Sequence, residues 1–319
     1  MKPIIGIVSP CYNEELVINE TSLQLVKKLT ELVSKQLINE QSFIAFIDDG
    51  SKDKTWPMIE KLAQENSAIK GLKLTGNVGH QNALYGGLIY YKNNADLLIS
   101  IDADLQDDVD VIEQMILKYT QGFDIVYGVR KERKTDSIFK KFTALFFYKI
   151  MLFMKVNIIY NHADFRLCSS RALNGLEKYE EVNLFLRGII PEIGFKQDVV
   201  YYNRLKRQAG ESKYPISKMI SLAWNGITSF SNYPLKLVTM IGFFIFASCL
   251  FMTFYALISW QLHNTVPGWL STVIPMYFLG GIQLFCFGVI GEYIGKIYSE
   301  VKRRPRYFID RDTEGNIGI

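Results

Sequence analysis

Residues 97–107 of the chain read Leu97-Leu98-Ile99-Ser100-Ile101-Asp102-Ala103-Asp104-Leu105-Gln106-Asp107. The apolar run at the start has the length and composition of a buried strand. Because alternate residues of an extended chain point the same way, we expect Asp102 and Asp104 to share one face just beyond the strand, and Gln106 continues the alternation with a neutral oxygen. A divalent cation, Mg²⁺ or Mn²⁺, would offset the repulsion between these carboxylates and keep positions open for phosphate oxygens.

The same acidic cluster has a second interpretation. Asp107, Asp108 and Asp110 precede an amphipathic segment, and carboxylates at that place commonly cap the N-terminus of a helix. An Asp-x-Asp motif alone is more often a cap than a metal site. The other motifs of the chain therefore have to discriminate between a cap and a cation site.

The first half of the chain alternates short apolar runs with amphipathic segments. We expect strands at residues 4–9, 43–47, 69–74, 97–101 and 125–129, and helices at residues 15–35, 55–66, 80–91 and 109–120. A last strand is expected at residues 198–202. Strands separated by helices of this length predict an α/β fold with a mostly parallel sheet covered on both faces. Such sheets bind ligands beyond the carboxyl ends of their strands.

Each of the first five expected strands ends in a polar cluster. The clusters are Pro10-Cys11-Tyr12-Asn13-Glu14-Glu15, Asp48-Asp49-Gly50-Ser51-Lys52-Asp53, Asn77-Val78-Gly79-His80-Gln81, the Asp102/Asp104 motif, and Arg130 with Arg133. A single cluster could consist of residues that form a turn, but several clusters along one edge of the sheet (its rim) favour a binding site. The chain has neither a Gly-x-Gly-x-x-Gly nor a Gly-Lys-Ser/Thr motif, so neither a dinucleotide fingerprint nor a P-loop is indicated.

Composition narrows the class of protein. The net charge of the 319 residues is only +4, so no global basic field points to nucleic acid as a partner. The 4 cysteines form no Cys-x-x-Cys motif, which is typical of free thiols in a reducing compartment. No signal peptide is expected, because the first residues lead directly into a strand.

The second half carries the features of a membrane protein. Residues 138–156 are densely apolar but interrupted by lysines, so a buried core helix and a helix at a membrane surface both remain open. Residues 213–234 have apolar side chains at helical spacing and suit an interfacial helix. Residues 237–260 and 269–290 are each long and apolar enough to span a bilayer, with tryptophans at the same end of both.

Charge sets the expected topology. The linker between the two apolar runs has no Lys or Arg, whereas Lys and Arg cluster after the second run, so both termini are expected in the cytoplasm. The expected organisation is a cytosolic catalytic domain at 1–212, a juxtamembrane amphipathic helix at 213–234, a two-helix transmembrane hairpin at 235–295 and a cytosolic tail at 296–319. The tail is polar after Arg306 and is expected to be mobile.

The residues at the rim suit one kind of chemistry. A metal held by Asp102 and Asp104 beside arginines would bind a diphosphate and stabilise charge on a leaving group. Arg130 and Arg207 could clamp anions in forked geometry, and Asp49 could accept hydrogen bonds from a base or a ribose. A sugar-nucleotide site that faces a membrane suggests a lipid acceptor. A phosphate on that lipid is already ionised near neutral pH, so the protein would mainly position and neutralise two anions.

Taken together, the motifs resemble a known family. They are Pro10-Cys11-Tyr12-Asn13-Glu14, Asp48-Asp49-Gly50-Ser51-x-Asp53, Gly76-Asn77-x-Gly79-x-x-x-Ala83, Asp102-Ala103-Asp104-Leu105-Gln106-Asp107, Asp164-Phe165-Arg166, Phe185-Leu186-Arg187-Gly188 and Arg207-x-x-Gly210-Glu211-Ser212-Lys213. This set resembles the family 2 inverting glycosyltransferases of GT-A fold. With two C-terminal spans it is similar to the polyprenyl-phosphate branch, which includes dolichol-phosphate mannose synthases and bactoprenol glucosyltransferases.

The resemblance implies roles for individual residues. Those expected to hold the nucleoside are Pro10, Tyr12, Glu14 and Asp49. Those expected to hold the metal and the diphosphate are Asp102, Asp104 and Gln106, with Ala103 in the same donor-binding motif. Those expected to bind phosphates of donor or acceptor are Arg130, Arg207 and Lys213. Asp164 matches a position regarded as a base, although orienting Arg166 or the acceptor is an equal alternative. The expected catalytic residues are Asp102, Asp104, Asp164 and Arg207.

The resemblance also implies a reaction and its partners. An α-linked nucleotide sugar would give a β-linked polyprenyl-phosphate sugar, used in glycan or O-antigen modification, at the bacterial inner membrane. UDP-glucose is the favoured donor, and GDP-mannose, UDP-N-acetylhexosamines and a UDP-aminoarabinose derivative stay open. Undecaprenyl phosphate is the expected acceptor, and a homo-oligomer, such as the tetramer formed by some relatives, is expected.

Two other functions compete with this interpretation. A processive polysaccharide synthase would carry a Gln-x-x-Arg-Trp motif, which the sequence lacks, and more than two spans. A catalytically inactive membrane scaffold would still bind a nucleotide sugar. The intact Asp102, Asp104, Gln106 and Arg207 argue against such a scaffold.

Overall fold

A mixed eight-stranded sheet organises the protein. The computed structural model describes residues 2–104, 106–131, 159, 162–182, 184–203, 233–261 and 268–316. The strands are β1 (Ile5–Cys11), β2 (Phe43–Asp48), β3 (Ile69–Leu74), β4 (Leu97–Ser100), β5 (Ile125–Arg130), β6 (His162–Ser169), β7 (Gln197–Tyr202) and β8 (Ile309–Asp312). The apolar runs that predicted strands in the first half all form strands.

The helices are α1 (Ile18–Ser34), α2 (Thr55–Glu65), α3 (His80–Tyr91), α4 (Val111–Thr120), α5 (Ser170–Glu177), α6 (Leu186–Glu192), α7 (Tyr233–Gln261) and α8 (Trp269–Lys302). Helix α3 has the predicted bounds. Helix α1 begins later than predicted, because the Glu14 carbonyl accepts the N–H groups of Val17 and Ile18 in a turn that precedes the helix.

The sheet has the strand order β7-β5-β6-β4-β1-β2-β3-β8. Strands β4, β1, β2 and β3 are parallel neighbours, and β5 is parallel to β7. Strand β6 runs antiparallel to both β4 and β5. Because of this reversal, the first residues of β6 lie beside the last residues of β5, with His162 paired to Val129. The sheet is therefore mostly parallel, as predicted, but one reversed strand delivers its N-terminal end to the ligand-binding edge.

Apolar side chains cover both faces of the sheet, as predicted. On one face, helices α1, α2 and α4 pack through a cluster that includes Leu25, Ile59 and Met115. On the other face, α3, α5 and α6 pack through a cluster that includes Leu88 and Ile189. Burial of these side chains removes apolar area from water, which is the main favourable contribution to folding.

Helix α3 lies unusually close to the sheet at Gly87. A Cβ atom there would be 2.5 Å from Ile47 Cγ1 and 2.9 Å from Val8 Cγ1, so only glycine permits this approach. Since α3 begins at His80, the close packing fixes where the N-terminus of the helix meets the edge of the sheet.

The C-terminal tail pairs with the sheet, and the prediction that the chain is mobile after Arg306 is wrong for residues 307–316. Strand β8 pairs antiparallel with β3. The Asp312 carboxylate accepts hydrogen bonds from the Tyr90 hydroxyl at 2.7 Å and from the Asn316 side chain at 2.7 Å. Before the strand, Arg306 Nη2 donates to the Tyr179 carbonyl at 2.5 Å. The polar tail residues are thus satisfied by partners distant in sequence, which local pattern could not reveal.

Helices α7 and α8 contain the two runs predicted to span a membrane. In the described parts of the chain, one stretch, Phe278–Lys302, is long and apolar enough to cross a bilayer, with a mean hydropathy of 1.4. Two spans therefore stay a prediction. The segment at 138–156, nearly all of the interfacial helix predicted at 213–234, and the linker at 262–267 lie outside the described residues.

The Asp312 contacts predict a measurable contribution to stability. Asp312→Ala should lower the free energy of unfolding by about 2 kcal/mol, because it removes charge-assisted hydrogen bonds from a buried carboxylate. Unfolding of the purified protein in detergent would measure it. Arg311→Ala, on the same strand but half exposed, is the control and should change stability by less than about 0.5 kcal/mol. Equal effects of the two substitutions would contradict a docked tail.

Candidate active site

The loops after β1 and β2 are joined by hydrogen bonds at the edge of the sheet. Asn13, with φ at 53°, donates its backbone N–H to the Ser51 hydroxyl at 2.9 Å, and its side-chain oxygen accepts the Lys52 N–H. The Glu14 N–H donates to the Thr55 hydroxyl at 2.9 Å. These bonds bring the predicted nucleoside residues Pro10, Tyr12 and Glu14 next to the loop that contains Asp49.

Asp49 holds the turn that precedes α3. Its carboxylate accepts the N–H of Val78 at 2.7 Å and the N–H of Gly79 at 3.0 Å. Gly79 has φ at 88°, a conformation that favours glycine. Burial raises the pKa of Asp49, and these two hydrogen bonds oppose that rise. Asp49 therefore has a structural role in addition to the nucleoside contact, which stays a prediction.

The Asp102 carboxylate lies directly after β4, at the same edge. Its Oδ1 is buried and accepts no hydrogen bond. Burial, opposed by the nearby His80 and assisted by the charges of Asp107, Asp164 and Asp104, raises the pKa of Asp102 to about 6. Buried carboxylate oxygens are normally satisfied, so an unsatisfied one is the kind of atom that a hard cation would bind.

The remainder of the acidic motif is fixed by backbone contacts. The Ala103 carbonyl accepts the Thr21 hydroxyl at 2.7 Å, which ties the loop to α1. Asp104 Oδ1 accepts the Gln106 N–H at 3.2 Å, and Gln106 is buried. The predicted ligands Asp102, Asp104 and Gln106 therefore lie together in one short loop. Within the described ranges, no group of three or more His, Cys, Asp or Glu side chains is arranged to hold a metal ion.

The cap interpretation accounts for only part of the acidic cluster. Asp110 is the N-cap residue of α4 but makes no side-chain cap hydrogen bond. Asp108 Oδ1 accepts the Asp110 N–H at 3.0 Å. Asp107 is buried and bonds instead with Arg130 and Tyr202. Capping does not involve Asp102 or its unsatisfied oxygen.

Arg130 was predicted to bind a phosphate, and in the structure its guanidinium donates hydrogen bonds to two protein side chains. Nη2 donates to Asp107 Oδ1 at 3.1 Å, and Nε donates to the Tyr202 hydroxyl at 3.2 Å. Asp107 and Tyr202 orient Arg130 at the rim, and the phosphate contact stays a prediction. The other two predicted phosphate ligands, Arg207 and Lys213, lie outside the described residues.

Asp164 lies at the start of β6, which the strand reversal places beside Asp102. Its Oδ1 accepts hydrogen bonds from Arg166 and from Arg187 Nε at 3.2 Å, and its Oδ2 accepts Arg187 Nη2 at 3.0 Å. Burial alone would raise the pKa of Asp164, but Arg187, His80 and Arg166 hold the pKa well below the usual range. Such a carboxylate is a weak base, which favours the orienting role over the base.

Two charged residues of the site received no role from the sequence. The His80 imidazole lies between Asp102 and Asp164, and Arg187 pairs with Asp164. Burial lowers the pKa of His80, but the nearby carboxylates of Asp164, 3.6 Å from Nε2, and Asp102 outweigh it and raise the pKa to about 9. His80 belongs to a polar cluster that follows a strand, and the expectation that ligands bind beyond the carboxyl ends of the strands could have singled it out. Arg187 lies in helix α6 rather than after a strand, so the same expectation does not apply to it.

Comparison with known proteins identifies close relatives. Residues 6–176 match the family model Glycosyl transferase family 2, and residues 233–297 match the model GtrB C-terminal hairpin. The uncharacterized glycosyltransferase YkoT of Bacillus subtilis (strain 168) is 53% identical over 311 residues, which are 98% of this chain and 92% of that protein. The SfII prophage-derived bactoprenol glucosyl transferase of Shigella flexneri is 40% identical over 316 residues, 98% of this chain and 99% of that protein.

Among solved structures, one similar chain is glucosyl-3-phosphoglycerate synthase from Mycobacterium tuberculosis in complex with Mn²⁺, UDP-glucose and phosphoglyceric acid. It is 17% identical to this chain with a TM-score of 0.45, and the match covers 71% of this chain and 78% of that chain.

The Asp164 cluster predicts a cost to stability when its charge is removed. Asp164→Asn leaves Arg166, which is 1% exposed, without its carboxylate and should lower the free energy of unfolding by about 3 kcal/mol at pH 7. Because the folded pKa is depressed, this contribution is present above the usual pKa of aspartate and disappears as the pH falls through the folded pKa.

Denaturant unfolding in detergent at pH 7 would measure this effect. The control is Asp198→Asn, which breaks an ion pair with Lys118 whose side chains are both 29% exposed, and its effect should be under about 1 kcal/mol. A loss for Asp164→Asn no larger than that of the control would contradict the clamped geometry.

Proposed function

We propose that this chain, which belongs to glycosyl transferase family 2 and is a glycosyltransferase, transfers a hexose from a nucleotide sugar to a polyprenyl phosphate. The observation that carries this proposal is the joint match of the catalytic family model and the C-terminal hairpin model in one chain. A relative named bactoprenol glucosyl transferase, which matches over 98% of the chain, supports a lipid acceptor and favours glucose.

The donor would bind at the edge formed by β1, β2 and β4. The side chains that would hold the nucleoside are Pro10, Tyr12, Glu14 and Asp49. We take UDP-glucose as the donor, with GDP-mannose, UDP-N-acetylhexosamines and a UDP-aminoarabinose derivative as the alternatives that an assay must separate. The unsatisfied Asp102 oxygen lies beyond β4, at the same edge, where a bound cation would join it to the donor diphosphate.

A divalent cation, Mg²⁺ or Mn²⁺, fits the acidic loop. Asp102, Asp104 and Gln106 would hold it, with Ala103 fixing the loop against α1. When bound, such a cation neutralises charge on the diphosphate leaving group. The carboxylates need this neutralisation, since their own charges would otherwise repel the donor phosphates.

The acceptor needs positioning more than deprotonation. A phosphate monoester carries an ionised oxygen near neutral pH, so it can attack without a strong general base. We assign Asp164 to orientation, because Arg187 and Arg166 already hold its carboxylate ionised and hydrogen-bonded. Arg130, Arg207 and Lys213 would neutralise the phosphates of donor and acceptor, which are two anions that repel each other.

A lipid acceptor requires that the site lie at a membrane. Helix α8 contains a stretch apolar enough to span one, and α7 precedes it. We propose two spans in a bacterial inner membrane, with both termini and the catalytic domain in the cytoplasm. The basic residues after the second apolar run and their absence from the linker support that orientation. We also propose that the protein forms a homo-oligomer.

A transfer assay tests the proposal. Purified protein in detergent, undecaprenyl phosphate, Mg²⁺ or Mn²⁺ and a panel of radiolabelled nucleotide sugars should give a labelled lipid product with UDP-glucose. A labelled lipid only with another nucleotide sugar would correct the donor. No product with any donor, from protein that binds a nucleotide sugar, would contradict the proposed transfer and favour a non-catalytic scaffold.

The acidic loop predicts a specific loss of activity. Asp104→Ala should abolish transfer, because a proposed cation ligand is removed, while the protein still folds and inserts into membranes. Asp108→Ala is the matched control in the same acidic run, since the Asp108 carboxylate accepts the Asp110 N–H within its own turn, and it should retain most activity. Near-normal turnover by Asp104→Ala would contradict the metal assignment.

A further inference from the structure

His80 stands between two carboxylates that come from different strands. Its Nε2 is 3.5 Å from Asp102 Oδ1, beyond β4, and 3.6 Å from Asp164 Oδ2, in β6. The side chain is 35% exposed, so it faces the site as well as the protein. Because Nε2 carries at most one hydrogen and the two distances are nearly equal, the imidazole can donate to either carboxylate but to only one at a time.

The backbone that carries His80 is fixed without help from those carboxylates. Asp49 accepts the N–H groups of Val78 and Gly79 immediately before the helix. Further along α3, Gly87 allows the helix to touch the sheet. The backbone that carries the imidazole is therefore held in place independently of the two carboxylates, so the imidazole can position them.

The two carboxylates differ in their other partners. Asp164 has Arg166 and Arg187, which donate to both of its oxygens. Asp102 Oδ1 accepts no hydrogen bond, and its nearest described nitrogen among the charged groups of the site is His80 Nε2, at 3.5 Å. Loss of the imidazole would therefore affect Asp102 more than Asp164.

We propose that His80 is a positioning residue that holds Asp102 in the orientation needed to bind a divalent cation and joins it to Asp164. This inference rests on the proposed function, since it takes Asp102 as a cation ligand. Side chains that orient a metal ligand typically contribute about 10-fold to 100-fold to metal affinity or activity.

The test measures Mn²⁺ binding to the full-length protein in detergent, without substrates. The electron paramagnetic resonance signal of free Mn²⁺ reports how much of the ion remains unbound. His80→Phe keeps a ring of similar size but removes the N–H, and it should weaken Mn²⁺ binding about 10-fold or more. His80→Gln keeps an N–H donor, so its Mn²⁺ affinity should remain within about threefold of that of the unmodified protein. This change is much smaller than the loss expected when an orienting contact is removed. In the transfer assay, His80→Phe should raise the Mn²⁺ concentration needed for half-maximal activity about 10-fold.

Asn82→Ala is the matched control. The Asn82 side chain lies at the same end of the helix, where it donates to the Val78 carbonyl at 3.0 Å rather than to a carboxylate. Mn²⁺ affinity should be unchanged in it. Unaltered Mn²⁺ binding in His80→Phe, an equal loss in His80→Gln, or an equal loss in Asn82→Ala would each overturn the inference.

A further variant separates this inference from the proposed function. Asp104→Ala should weaken Mn²⁺ binding if the acidic loop holds the cation. If Asp104→Ala binds Mn²⁺ as the unmodified protein does, the metal site of the proposed function fails. If Asp104→Ala loses the metal while His80→Phe does not, only the role of His80 fails.

Discussion

A buried carboxylate oxygen without a hydrogen bond is the constraint on which the rest of the structure depends. Buried carboxylate oxygens are normally hydrogen-bonded, and Asp102 Oδ1 has no such partner among the described protein groups. Strand β1 lies beside β4, and the reversed β6 places Asp164 nearby, so the fold fixes the position of this oxygen. The unpartnered oxygen supports the proposed cation site, because hard cations take carboxylate oxygens as ligands.

The charges around the site form two groups with different tasks. Asp102, Asp104 and Asp107 are negative and lie after β4, whereas Arg166 and Arg187 are positive and hold Asp164. The site therefore has an acidic part, where we propose a cation and a diphosphate, and a part in which two arginines neutralise and orient a single carboxylate. This separation agrees with a reaction in which two phosphorylated molecules must approach each other.

Much of the fold follows from local sequence pattern, and the remainder depends on distant pairing. Apolar runs and helical spacing predicted α3 and the strands of the first half. The position of Asp49, Asp102 and Asp104 after parallel strands predicted that they share one edge of the sheet. The reversed β6 was missed because charged Asp164 and Arg166 interrupt its apolar character, and β8 because its partner strand lies far away in sequence. Arg130 was predicted correctly at the rim, but only the structure reveals its pairing with Asp107.

The central claim concerns where the cation binds, and a crystal structure with Mn²⁺ and UDP-glucose tests it most directly. The anomalous signal of manganese locates the ion independently of the surrounding density. We expect the ion in contact with the carboxylates of Asp102 and Asp104 and with the diphosphate of the donor. An ion placed elsewhere, or those two carboxylates turned away from the diphosphate, would contradict the account.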